Sequence, residues 1–180
     1  MTAPFSHQPP LAMSAAHVHL ALNHIPLLGI LFGALLLAYG LWRDSSDVQK
    51  ASLGLLAVAG LTTIAVYLTG EPAEDIVEGL AGVSHDAIEA HEALGTYALV
   101  AGLLTGLTSI AALVLGAARE RLVRGTVVLA LGLALASTAL IGYTANLGGK
   151  ISHPELRAAP SATAPADASN QDQEEAGEHE

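Results

Sequence analysis

The chain contains no cysteine. That removes disulfides, zinc–thiolate sites, iron–sulfur clusters and haem attached through a Cys-x-x-Cys-His motif. Charge is also scarce: 13% of residues are charged, against about 25% in an ordinary soluble domain. Aromatic residues make up only 4%. Basic residues are few, 7 Lys and Arg against 17 Asp and Glu, for a formal net charge of −10. Nucleic acid is therefore excluded as a partner, because phosphate backbones are held by basic surfaces. Neither a nucleophile–base constellation nor a phosphate-binding loop is present, and catalysis by this chain alone is not expected.

What the chain has is apolar length. Hydrophobic residues make up 52% of it. A hydrocarbon layer of about 30 Å needs roughly 20 apolar residues as a helix. Residues 20–42, 51–68, 90–118 and 122–145 meet that requirement. The links 43–50 and 119–121 are short, so neighbouring helices lie antiparallel. The predicted fold is all-α, a four-helix transmembrane bundle of up-down topology in a lipid bilayer. A soluble bundle is the alternative, but helices apolar all round leave it no wetted side.

Charge orients the bundle. Arg43, Lys50, Arg119, Arg121 and Arg124, five of the seven basic residues, fall in or beside the two short links. The positive-inside rule assigns these to the cytoplasm and both termini to the other side. Tyr39 and Trp42 then mark the inner edge, and Tyr67, Tyr97 and Tyr143 the outer edge. The expected localisation is a bacterial inner membrane. The expected organisation is an extracytoplasmic segment over 1–17, the membrane domain over 18–156, and an acidic, disordered tail over 157–180. No cleavable signal peptide is evident, and the first span is expected to act as its own insertion signal.

Small residues recur every seven positions: Pro26, Gly33 and Gly40; Gly95, Gly102, Ser109 and Gly116; Gly125, Gly132, Ala139 and Asn146. Such stripes mark faces on which helix backbones approach closely. They serve packing within the bundle, a homo-oligomer through glycine-rich faces, or, in a cofactor-free structural subunit of a membrane complex, contact with a partner protein.

All eight histidines fall on the outward side, and His19, His24, His85 and His91 sit near the heads of the first and third spans. In an up-down bundle those two helices are parallel and diagonal, so a histidine from each can meet across the core. Two neutral imidazoles in that position suit axial ligation of a b-type haem. They equally suit a divalent or redox metal ion held by His19, His24, His85 and His91 with Glu89 and Glu92. His91 lies four residues before Gly95, on the inward face, and His19 lies seven before Pro26, on the stripe of the first helix. His24 lies nearly opposite that stripe, although a kink at Pro26 would shift its phase. Phase leaves His19 and His24 as competitors. The plainer alternative is interfacial histidines that bond water, lipid headgroups or freed carbonyls.

The link "TGEPAEDIVEGLAGVSHDAIEAHE" predicts a short amphipathic helix ended by Gly82, followed by a Ser84 N-cap with Asp86 in the first turn. No Glu-x-x-His pair is present, which ranks a di-iron carboxylate site low. Gly148 and Gly149 predict the end of the fourth helix.

The pattern "HLALNHIP" at the head of the first span, with "HEALGTYAL" around His91 and "LGGKISH" later, resembles the DUF2231 family of bacterial membrane proteins. The family's "HP…VHFP" signature has Leu20 here in place of its first proline and Ile25 in place of its phenylalanine. The resemblance covers about residues 18–156. Some relatives join this membrane unit to a Rieske iron–sulfur domain, which implies redox company. It points the histidines toward haem or metal, and the chain toward an electron-transfer subunit with a membrane redox partner.

Overall fold

The computed structural model describes residues 14–153 and Leu156. The N-terminal residues with His7 and the acidic tail with His179 lie outside the described residues. Five helices follow in order: α1 (Ala15–Trp42), α2 (Ser46–Leu68), α3 (Gly70–Val77), α4 (His85–Ala118) and α5 (Arg124–Ser152). Four of them, all but α3, are long and apolar enough to cross a membrane. The molecule is an all-helical bundle with the features of a multi-pass membrane protein.

Going round the bundle, α1 packs on α2, α2 on α4, α4 on α5 and α5 on α1. The helices α1 and α4 are therefore diagonal, as the connection lengths predicted. Ile30, Leu37, Leu53, Leu56, Ala112, Val127 and Ala134 form the buried centre. Phe32, Leu35, Val58, Leu104, Val114 and Leu129 point outward. A water-soluble helix would carry charge on that side, whereas this one presents a surface that hydrocarbon can wet.

Glycine sets how close the helices come. A Cβ on Gly60 would stand 2.5 Å from the Gly102 carbonyl oxygen and 2.7 Å from the Gly106 nitrogen. Here α2 and α4 touch backbone to backbone. The α1 stripe (Pro26, Gly33, Gly40) is buried, as are Gly102, Ser109 and Gly116 on α4. The α5 stripe turns the other way: Gly125, Gly132, Ala139 and Asn146 are exposed. Of the two readings of the stripes, packing within the bundle holds for α1 and α4 and not for α5. On α5 the inward face is built from Val127, Ala130, Ala134, Ser137, Ile141 and Thr144.

Hydroxyls inside the bundle are all satisfied. Thr105 and Ser137 bond each other at 2.8 Å across α4 and α5, and Ser137 donates to the Ala101 carbonyl at 2.9 Å. Such bonds hold register in a medium that offers no water.

Three boundaries differ from expectation. Helix α1 runs through Pro26 without a break; proline removes one backbone hydrogen bond, but the flanking turns are held by packing on α2. Helix α3 ends at Val77, and Gly82, at φ +85, instead turns the loop that leads into α4. Helix α5 continues through Gly148 and Gly149 to Ser152. Glycine is permissive rather than terminating, and tertiary contact decides. The Ser84 cap is as predicted, its hydroxyl accepting from the Ala87 N–H at 3.3 Å.

Candidate functional site

The diagonal helices bring His19 and His91 together. Their ring centres are 6.4 Å apart and the ring planes stand at 83°. Both side chains are partly buried.

Each imidazole is fixed by the other helix of its own hairpin. The His19 Nδ1–H, on α1, donates to the Val66 carbonyl of α2 at 3.1 Å and lies 3.1 Å from Thr69 Oγ1. The Thr69 hydroxyl itself donates back to the Ala65 and Val66 carbonyls at 3.0 and 2.9 Å. Its proton is thus committed elsewhere, and the hydrogen between Thr69 and His19 belongs to Nδ1. The His91 Nδ1–H, on α4, donates to the Thr144 carbonyl of α5 at 2.9 Å. A carbonyl accepts only, so the nitrogen facing it carries the proton. Each ring therefore carries a proton on Nδ1, and in the neutral form Nε2 is the nitrogen with the lone pair. Metal-binding histidines are commonly oriented in this way.

Gly148 makes the seat for His91. A Cβ at Gly148 would lie 3.1 Å from His91 Cε1 and 3.3 Å from its Nδ1. The ring lies against bare backbone, and the "LGGK" segment is a cradle rather than a stop. Gly70 plays a looser part beside His19, whose Cε1 would be 3.8 Å from an added Cβ. One turn deeper than His91, Gly95 lies on the same face as buried Ile88 and Gly102, yet an added Cβ there would meet nothing within 4 Å.

The other sequence candidates stand apart from this pair. His24 is exposed, and its Nδ1–H donates to the Leu20 carbonyl of its own helix at 2.7 Å. Phase had placed it opposite the buried stripe, and Pro26 does not rotate it inward. His85 is exposed and lies 3.6 Å from Glu78. Glu89 is exposed, and Glu92 is exposed with its carboxyl beside that of Glu74. Among the described residues no three His, Asp or Glu side chains stand where they could hold one metal ion together. Val66, Thr69, Thr144 and Gly148 were not singled out as site residues from the sequence. Backbone carbonyls have no sequence signature, and Gly148 looked like a helix stop.

Helix α3 covers this end, packing on α1 through Ala73. Partial burial, and then the neighbouring Glu92 carboxyl, raises the pKa of Glu74 above the ordinary carboxylate value; Glu78 and Asp75 add to this. The fold thus prefers Glu74 protonated. Its contribution to stability is present at low pH and lost as pH rises past the usual carboxylate range into the raised one. Glu74→Gln, which mimics the protonated state, is expected to raise the melting temperature slightly at neutral pH in detergent. That gain should vanish on acidification; a gain that persists at low pH would show that the carboxyl pair is not its source.

No family model, curated protein or solved structure matches the chain.

Proposed function

We propose that this chain is a membrane electron-transfer subunit that holds a b-type haem between His19 and His91. The observation that carries the reading is the pair itself: two imidazoles from diagonal helices, each held through its Nδ1–H by a backbone carbonyl. His19 and His91, with ring centres 6.4 Å apart, would hold the haem iron through their Nε2 atoms. The donor count favours haem over a bare ion. A protein-held ion such as zinc takes three or four side-chain ligands, and no third donor joins the pair among the described residues. Haem iron needs only two.

When bound, the haem would supply a one-electron couple. The protein's part is to set it. Val66 and Thr144 orient the imidazoles, Gly148 lets His91 sit close to α5, and the apolar centre below excludes water. By the positive-inside rule the site lies near the extracytoplasmic face of a bacterial inner membrane, with both termini on that side. The resemblance to the DUF2231 family agrees with redox company.

The test is a spectrum. Protein expressed with haem supplied and purified in mild detergent should show a Soret band and a sharp reduced α-band, with about one haem per chain. A colourless protein under those conditions would defeat the reading. Gly148→Ala gives a finer check. Its methyl must displace the His91 ring by a few tenths of an ångström, which should weaken haem retention about tenfold, the lower range for disturbing a ligand's support. Gly149→Ala, whose methyl would be 3.9 Å from Leu156 Cδ1, should retain haem as the wild type does.

A further inference from the structure

The opposite end of the bundle carries a second feature that the histidine site does not use. Helix α5 begins with Val123 at its N-cap, with no side-chain cap and no acidic residue in its first turn. The N–H groups of Arg124 and Gly125 lead this helix start, while that of Thr126 already donates to the Val123 carbonyl at 3.0 Å. Around that start a recess of about 190 Å³ is lined by Arg119, Arg121, Leu122, Val123 and Arg124. It adjoins a larger cavity, of about 350 Å³, which shares Arg121 and Leu122 and adds Lys50 and an apolar wall including Leu113. One carboxylate, Glu120, also lines the larger cavity.

Charge at this end is more than a topology signal. Positive-inside orientation depends on how many basic residues flank the spans, not on where their side chains converge. The other short link shows the contrast. There Arg43 lies 5.8 Å from the centre of the Trp42 ring, Lys50 is 3.9 Å from Asp47, and Asp47 occupies the first turn of α2. In the α4–α5 link, no ion pair forms to Arg119, Arg121 or Arg124 among the described residues. Arg119, Arg121 and Arg124 thus line one recess at the positive end of a helix, next to a cavity walled by Leu113 and Leu122. Beside that wall, Val114 and Leu115 face outward on the surface that hydrocarbon wets.

We propose that this cavity binds the phosphate of an anionic phospholipid, with the acyl chains running along the α4 wall. Guanidinium forks match phosphate oxygens in pairs, and helix N-terminal N–H groups add donors without charge of their own. The wall of Leu113 and Leu122 selects an amphiphile over a free anion. This inference is independent of the haem reading.

Thermal unfolding of the full chain in detergent tests it, at fixed ionic strength, with phosphatidylglycerol, phosphatidylcholine or inorganic phosphate added. Phosphatidylglycerol should raise the melting temperature, and the other two should not. Each lost cation should weaken binding about fivefold, so the pair Arg121→Gln and Arg124→Gln together should shift the half-maximal lipid concentration about 25-fold. Arg43→Gln, equal in charge change per residue but outside the cavity, should leave it unchanged. A loss of about fivefold in Arg43→Gln, equal per removed cation, would mean diffuse attraction and overturn the site. So would equal stabilisation by phosphatidylcholine, or full stabilisation by inorganic phosphate. Native mass spectrometry of the wild type gives a readout that needs no variant. One retained phosphatidylglycerol is expected, and retention no better than for phosphatidylcholine overturns the proposal.

Discussion

Replacing His91 or His19 by alanine is expected to abolish stable haem binding, while His24→Ala leaves the spectrum intact. Losing a residue that merely orients a metal ligand costs about 10- to 100-fold in affinity, so loss of a ligand itself should cost more than about 100-fold. The distinction from His24 rests on geometry. His19 and His91 share the interior at 6.4 Å, whereas His24 is exposed and bonded within its own turn. The absorption spectrum and haem-to-protein ratio of the three variants decide the matter. Haem loss in His24→Ala together with retention in His19→Ala would reverse the assignment. None of these changes should unfold the protein, because the buried centre lies in the middle of the spans, several turns below the histidines.

Gly60 is expected to be the least tolerant position in the bundle. An alanine methyl there meets the Gly102 carbonyl at 2.5 Å and Gly106 Cα at 2.8 Å. Backbone cannot step aside as a side chain can, so α2 and α4 must separate along their seam. Overpacking of this kind costs about 1–3 kcal/mol, and valine should exceed it. The comparison is Gly54→Ala on the same helix, where an added Cβ meets nothing within 4 Å. There, removing glycine from a helix interior should gain about 0.5–1 kcal/mol. Melting temperatures of the two variants should therefore move in opposite directions. A Gly60→Ala protein as stable as the wild type would show that α2 and α4 are not in backbone contact.

The fold was largely legible because its driving pattern is local. Four apolar stretches and two short links led to an up-down bundle with α1 and α4 on a diagonal, and the structure has that arrangement. Seven-residue spacing also marked the buried face of α4 correctly at Gly102, Ser109 and Gly116. The same spacing misled on α5, where Gly125, Gly132 and Ala139 face outward. A period identifies a face but does not say whether a neighbour or lipid covers it. In a helix apolar on every side, no polar face breaks the tie.

The histidines divide along the same line. From the sequence alone came their gathering at one end of the bundle, the inward phase of His91 and a stripe that included His19. The choice between His19 and His24 was left to the tertiary structure. It depends on whether Pro26 rotates the first turns of α1, and that is set by packing against α2 rather than by proline itself. Tertiary structure also decided what fixes the rings. Val66 and Thr144 act through their carbonyls, which every residue possesses, and they lie 47 and 53 residues from the histidines they hold. Gly148 was visible as a glycine, but its use became apparent only once α5 continued past it and brought the bare backbone against His91. Hydropathy and charge act along the chain and can be read there. Hydrogen bonds between helices depend on rotation and depth, which only the assembled bundle specifies.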